Sequence, residues 1–418
     1  MKPAKGRANG HGFGHGQDLC DTCSMMLYAP MNDWRVFVKE TQVLLSQKSY
    51  FQAEIKIQEG LYSYPYQASL LSVASAVYRA AGSREKSLEC AQALISHHPG
   101  SWKGYGLAAQ DLIALQRLEE AKLLTQQGVE KFPQQANILT IANDIYRTLG
   151  DRNKSLEYAL GLIFHHPDNW KGYARATQDL IALKRFDEAR NKIQDGLDRF
   201  PGQANILDVA YDAYRVSGDR NKSLDCALEL IFHHPDNWKG YARASRDLIA
   251  LKRFDEARNK IQDGLDRFPG QANILIVAND VYRAIGDHNK SLDFALGLIY
   301  HHPGNWMGYA RATQDLIALK RFDEARNKIQ DGLDRFPGQA NILIVANDVY
   351  RAIGDHNKSL DFALGLIYHH PGNWMGYARA TQDLIALKRF DEARVKVKVG
   401  LSRFPGIGSM QVLAAQLH

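Results

Sequence analysis

Residues 170–203 read WKGYARATQDLIALKRFDEARNKIQDGLDRFPGQ. Trp170, Tyr173, Thr177 and Leu180 recur at spacings of three and four, the stripe that one helix face requires. After Lys184 a second apolar series begins, with Phe186, Ala189, Ile193, Leu197 and Phe200, and it stops at Pro201-Gly202. Residues 204–237, ANILDVAYDAYRVSGDRNKSLDCALELIFHHPDN, follow the same plan with clearer punctuation. Gly218 stands where a helix end favours a left-handed residue, Asp219 can cap the next helix, and Asn237 can cap the one starting at Trp238. Each stretch predicts a hairpin of two helices of about 13 to 15 residues, too small to bury its own apolar face.

The same spacing runs along the chain. Eleven of the 13 prolines fall every 34 residues, from Pro65 to Pro405, and all six tryptophans fall every 68, from Trp34 to Trp374. Residues 272–326 and 340–394 are identical, as copying of 68-residue blocks would produce. A period nested this way is a repeat signature, and it overrides the two or three domains that 418 residues would otherwise suggest. A composition 45% hydrophobic and 23% charged excludes disordered and collagen-like classes. No apolar stretch reaches the roughly 18 residues of a membrane helix. The basic N-terminus (Lys2, Lys5, Arg7) is followed by Gly and His, which does not suit a secretory signal. Four cysteines fit a reducing compartment, so a cytoplasmic location is expected.

The repeat resembles the tetratricopeptide (TPR) family. Its pattern is carried by Tyr173, Ala176, Thr177, Leu180, Phe186, Ala189, Ile193, Gly196 and Pro201, and in the partner repeat by Leu207, Ala210, Tyr211, Tyr214, Ser223, Ala227 and Pro235. The resemblance implies an all-α fold, an α-solenoid wound as a right-handed superhelix, with first helices lining a concave groove. It covers residues 34–407 as eleven repeats, with a partial repeat helix at 408–418 and a disordered or mis-assigned leader at 1–33. Two departures bear on packing: the family's first-helix glycine is replaced by Thr, Ser, Tyr or Asn, and the tryptophan precedes the usual aromatic slot by three residues.

Several residue sets invite sharper readings. The tryptophans read as packing anchors between hairpins. The His-His-Pro runs, at His97/His98, His165/His166, His233/His234, His301/His302 and His369/His370, read as helix C-termini meeting the negative dipole end. Neighbouring pairs are four helices apart, too far to share a metal. Cys90 and Cys226 occupy the slot that Tyr158, Phe294 and Phe362 fill elsewhere, which makes them core fillers. His11, His15, Cys20 and Cys23 have a spacing that could hold zinc, but their Gly-rich surroundings favour the leader reading, and no metal or cofactor is expected. No nucleophile–base set, phosphate loop or metalloprotease motif is present in the repeats, so no catalytic residue is nominated and an enzyme is not expected.

Helical spacing nominates the groove residues. In Trp-free repeats they are Asn137, Asp144, Arg147; Asn205, Asp212, Arg215; Asn273, Asp280, Arg283; and Asn341, Asp348, Arg351. In Trp repeats they are Lys171, Gln178, Lys239, Arg246, Gln314 and Gln382, with Met307 and Met375 in the lysine slot later. The Asp and Arg, three residues apart, could instead pair along their own helix. The carboxylate clamp of some TPR proteins is matched by Lys171/Arg175 and Lys239/Arg243 but not by its earlier Lys and Asn, so it is not expected. Block 170–203 has seven basic and five acidic residues, whereas 204–237 has three and six, an alternation without the continuous basic stripe of nucleic-acid binders. The expected function is a protein-interaction scaffold holding a partner peptide or helix in the groove. Two alternatives stand beside it. One is a docking array for a glycosyltransferase or sulfotransferase system. The other is a self-assembling scaffold, associating through the apolar Val412, Leu413 and Leu417 at its last helix.

Overall fold

A computed structural model describes residues 33–417, which form 23 helices joined by tight turns, with no strand among the described residues. The leader and the pattern at His11, His15, Cys20 and Cys23 lie outside the described residues. Two compact units divide between Gly150 and Asp151. The first holds α1 (Trp34–Ser46), α2 (Tyr50–Ser63), α3 (Ala68–Ala80), α4 (Arg84–His97), α5 (Trp102–Ala114), α6 (Leu118–Lys131) and α7 (Ala136–Thr148). The second opens with α8 (Arg152–His165), α9 (Trp170–Ala182), α10 (Phe186–Arg199), α11 (Ala204–Val216), α12 (Arg220–His233) and α13 (Trp238–Ala250). It continues through α14 (Phe254–Arg267), α15 (Ala272–Ala284), α16 (His288–His301), α17 (Trp306–Ala318) and α18 (Phe322–Arg335). It ends with α19 (Ala340–Ala352), α20 (His356–His369), α21 (Trp374–Ala386), α22 (Phe390–Arg403) and α23 (Gly408–Ala415).

The expected punctuation is present. Asp219 Oδ1 accepts from the Lys222 N–H at 3.1 Å, Asn237 Oδ1 accepts from the Lys239 N–H at 3.1 Å, and Gly218 takes φ +86°. In the Trp hairpins the left-handed turn residue is not glycine. Lys184, Lys252 and Lys388 hold φ near +59° between their two helices, a conformation that costs a side chain about 1–2 kcal/mol.

Within each unit a second helix packs on its own first helix and on the first helix of the next hairpin, while first helices also contact one another. The glycine that permits close approach is not in the family's slot but at the third position of the Trp helices. A Cβ on Gly240 would stand 2.8 Å from Ile231 Cγ1 and 3.2 Å from its backbone N, and Gly172 and Gly308 are alike. In the second unit Ile193, Ile206, Ile261 and Ile274 are fully buried at the centre of a continuous core. Trp170, Trp238, Trp306 and Trp374 are half-buried against the cores of the second unit, and Trp34 against that of the first. Cys90 and Cys226 are buried, as their slot implies. At the last helix Leu413 and Leu417 pack inward, and Val412 is the exposed member of that trio.

The His-His-Pro ladder ties successive hairpins together. The second histidine's Nε2 bonds the turn carbonyl one hairpin earlier: His234 to Gly202, His302 to Gly270 and His370 to Gly338, each at 2.7 Å. The first histidine covers the same turn, so that a Cβ on Gly202 would lie 2.9 Å from the His233 ring. An imidazolium donates from Nε2 as a neutral Nε2–H tautomer does, so the tie survives protonation.

Candidate functional site

First-helix junctions in the second unit alternate between close, largely apolar contacts (α9/α11, α13/α15, α17/α19) and wider ones (α15/α17, α19/α21). The wide junctions are filled by polar side chains around a buried aspartate at the tenth position of the Trp helix. At α15/α17 the Asp315 carboxylate is 0% exposed. It accepts from Ser291 Oγ (2.7 Å), Asn279 Nδ2 (2.8 Å) and Arg283 Nε (3.0 Å). Arg283 also donates to Gln314 Oε1 (2.9 Å) and to the Arg311 carbonyl (3.1 Å). Arg311 in turn donates to Asn279 Oδ1 (2.7 Å) and pairs with Asp280. Arg351, Gln382, Asp383, Asn347, Asp348 and Arg379 repeat this lattice at α19/α21. In the first unit Arg79 donates to Asp111 and Gln110 across α3/α5.

Of the nominated residues, Asp280, Arg283, Asp348 and Arg351 therefore do not pair along their own helix; they bridge to the following Trp helix. What remains open is the space beside the bridges. Asp280, Arg283, Met307, Gln314 and Asn341, all on the nominated face, line a concavity of about 240 Å³ with Trp306, Ala310, Arg311, Ile344 and Val345. Its walls come from α15, α17 and α19, first helices throughout. Trp306 is thus both an anchor and a wall of the recess. Asn205, Asn137, Lys171 and Gln178 are exposed, while Asn273, Asp144 and Arg147 are half-buried.

One wide junction is built differently. Between α11 and α13, Tyr211 stands where Asn279 and Asn347 stand elsewhere, and Arg246 replaces Gln314 and Gln382. No α-carbon pair across this junction comes within 8 Å, unlike α15/α17 and α19/α21. Asp247 still accepts from Ser223 Oγ (2.5 Å) and Arg220 (2.8 Å). Arg243 lies 4.5 Å over the Tyr211 ring and pairs with Asp208 (2.7 Å), as does Lys239 (2.9 Å). Arg215 and Arg246 make no side-chain hydrogen bond or ion pair among the described residues, and the buried Tyr211 hydroxyl has no partner. Burial pushes the Tyr211 phenol up, with Asp247 adding to the shift and Arg215, Arg243 and Arg246 opposing it. Burial lowers the Arg246 guanidinium, an effect that Asp280 opposes and Arg215 and Arg311 reinforce. A guanidinium so placed keeps its charge at neutral pH.

The buried aspartates at the tenth position of the Trp helices lie outside the nominated groove residues. A signal existed: Asp179 lies three residues from Ala176, on the face that also carries Leu180 rather than on the polar one. The Tyr211 substitution was read as part of the apolar pattern, and its effect on packing depends on the neighbouring hairpin.

Helices of 13 and 14 residues alternate through the Trp170–Arg199 hairpin and its successors, each hairpin occupying one 34-residue period. The fold is that of a tetratricopeptide-repeat array. No protein-family model matches the chain, and no curated protein matches it either. Among solved structures, yeast Tom70 shares 11% identity over 92% of this chain and 96% of its own, with TM-score 0.49. A tetratricopeptide repeat protein from Parabacteroides merdae shares 13% identity over 60% of this chain and 98% of its own, with TM-score 0.47. The Cut9-Hcn1 hetero-tetramer of the APC/C matches at 13% identity over 94% of this chain and 91% of its own, with TM-score 0.40. At such values the TPR assignment rests on the repeat geometry itself.

Proposed function

We propose that the chain is a non-enzymatic protein-interaction scaffold whose first-helix face holds an extended segment or helix of a partner protein. The observation that carries this reading is the recess between α15, α17 and α19. It sets an indole, a thioether and apolar side chains beside an amide, a carboxylate and guanidinium groups. Such a surface can bury a partner's apolar side chain and hydrogen-bond its backbone at the same time. The two buried free thiols suit a reducing compartment, which supports a cytoplasmic location. Among the described residues no helix is long and apolar enough to cross a membrane.

Photo-cross-linking tests the proposal. A photoreactive residue is placed at Gln314 or Asn341, with Asp331 on the exposed surface of α18 as control, and the protein is incubated in extract of its source cells. The expected result is one or more discrete protein adducts from the first two sites, absent from the third. Equal labelling from both faces, or none from the first helices, would remove the groove reading.

A further inference from the structure

The α11/α13 junction is the member of the wide-junction series whose cations are not matched. Arg283 at α15/α17 is held by Asp315 and Gln314. Its equivalent, Arg215, meets Arg246 where the glutamine should be, and the Tyr211 ring in place of asparagine keeps α11 and α13 apart. At this junction Arg215, Lys239 and Arg243 face two carboxylates, Asp208 and Asp212, while the acidic neighbour of Arg246 is Asp280, which Arg311 already holds. Asp247 is already neutralised by Arg220 beneath them. The balance leaves two positive charges without counter-charge, while at α15/α17 Arg283 and Arg311 are matched by Asp315 and Asp280. Beside the surplus sits the one buried tyrosine hydroxyl that lacks a partner among the described residues, on a side chain 2% exposed.

We propose that Arg215, Arg246 and the Tyr211 hydroxyl form a site for a doubly charged oxyanion, the phosphoryl group of a phosphorylated side chain on a partner polypeptide. Two guanidinium forks supply donors alone and the phenol can add its O–H, while a phosphomonoester, with a charge of about −1.5 to −2 at neutral pH, offers in its dianionic form acceptors alone. A polyanion such as nucleic acid is less suited, because the charge excess is confined to one junction and the next wide junction is neutral. The partner half of the proposal rests on the groove reading above; the anion half does not.

The test begins with inorganic phosphate and O-phosphoserine titrated into the full chain by calorimetry at low ionic strength, where screening is weakest. One saturable site per chain is expected. Arg215→Gln and Arg246→Gln should each weaken it about tenfold or more, and Tyr211→Phe should weaken it without altering the fold. Arg79→Gln, at the matched α3/α5 junction of the first unit, should leave binding unchanged. The double substitution Tyr211→Asn/Arg246→Gln returns those two positions to the residues of the later junctions; it should abolish binding and raise the hydrogen-exchange protection of α11 and α13 together. No saturable binding, binding indifferent to Arg215→Gln, or equal loss in Arg79→Gln would overturn the anion site, and none of these bears on cross-linking at Gln314. In the second arm a photoreactive residue at Asn205 is tested in extract with and without phosphatase treatment. Adducts lost on dephosphorylation are expected; phosphatase-insensitive adducts, or competition by nucleic acid instead of phosphoserine, would overturn the phosphorylated-partner assignment.

Discussion

Asp315→Ala probes whether the polar lattice, rather than the apolar seam, holds the wide junctions. The carboxylate is fully buried and accepts from Ser291, Asn279 and Arg283. Breaking a buried ion pair by removing one partner costs about 3–5 kcal/mol, most of it from the charge left behind. Two features soften that figure here. Arg283 is 30% exposed along its side chain and can turn to water, and Asn279 keeps the Ser291 carbonyl (2.8 Å) and hydroxyl (2.7 Å) as partners. Neutral donors left short of a partner cost about 1–3 kcal/mol each, so a loss of about 2–4 kcal/mol is expected. Asp280→Ala removes a half-exposed partner of Arg311 and should cost about 1 kcal/mol or less. Because repeat arrays open locally, a single denaturation midpoint is not the right readout. Hydrogen exchange resolved to α15, α16 and α17 is, and it should show protection lost there while α9 and α10 keep theirs. A double-mutant cycle with Arg283→Ala should return a coupling of at least about 1 kcal/mol. An Asp315→Ala variant within 0.5 kcal/mol of the parent, or a coupling near zero, would refute the reasoning.

Other consequences are as direct. Gly240→Ala places a methyl against Ile231 and should destabilise the α12/α13 contact by about 1–3 kcal/mol, read by exchange in those helices. Lys184→Gly and Lys252→Gly relieve left-handed strain of about 1–2 kcal/mol but add unfolded-state freedom; a net gain of about 0.5–1 kcal/mol per site in urea denaturation is expected. Burial pushes the Cys90 thiol up to about 11 and the Cys226 thiol up to about 12. Raising a thiol's pKa empties its reactive thiolate form, so in a Cys20→Ser/Cys23→Ser background neither should react with a thiol reagent at pH 8 until the chain unfolds. Gly202→Ala should destabilise through both its φ of +75° and its clash with His233. Adding His233→Ala should recover the steric part alone, measured as a partial return of hydrogen-exchange protection in α10 to α12.

The architecture was legible because its determinants are local and repeated. Proline after the second helix, Gly218 and Asp219 between helices, and Asn237 before tryptophan each act within a few residues, and the copying made their period visible. What could not be read is non-local. Lys184 in a left-handed turn looks like any lysine, because the strain it bears is set by how its two helices must meet. Arg283 looks like a groove cation, and only its approach to Asp315, 32 residues on, turns most of its donors inward. The concavity at Met307 and Asn341 needs three helices from different hairpins at once. Residues of the nominated face line that recess, but the pairing within it belongs to packing.

Identical copies constrain how such an array can recognise anything. Residues 272–326 recur unchanged at 340–394, so the wide junctions α15/α17 and α19/α21 present the same lattice and cannot tell one partner segment from another. They can supply repeated contacts of like kind, which add avidity along an extended ligand. Discrimination has to come from a position where the copies differ and where the difference leaves binding capacity unspent. Replacing Lys239 by Met307 and Asp208 by Ile276 in the later block removes charges of opposite sign together, and the junction stays internally matched. Exchanging asparagine for Tyr211 and glutamine for Arg246 does the opposite: it withdraws two hydrogen-bonding amides, adds a cation and holds the helices apart. A junction altered in that way gives up lattice contacts that its neighbours keep, and the stability so lost is regained when a ligand's acceptors replace the missing asparagine and glutamine. Specificity in this chain is therefore expected where the repeat is least like itself.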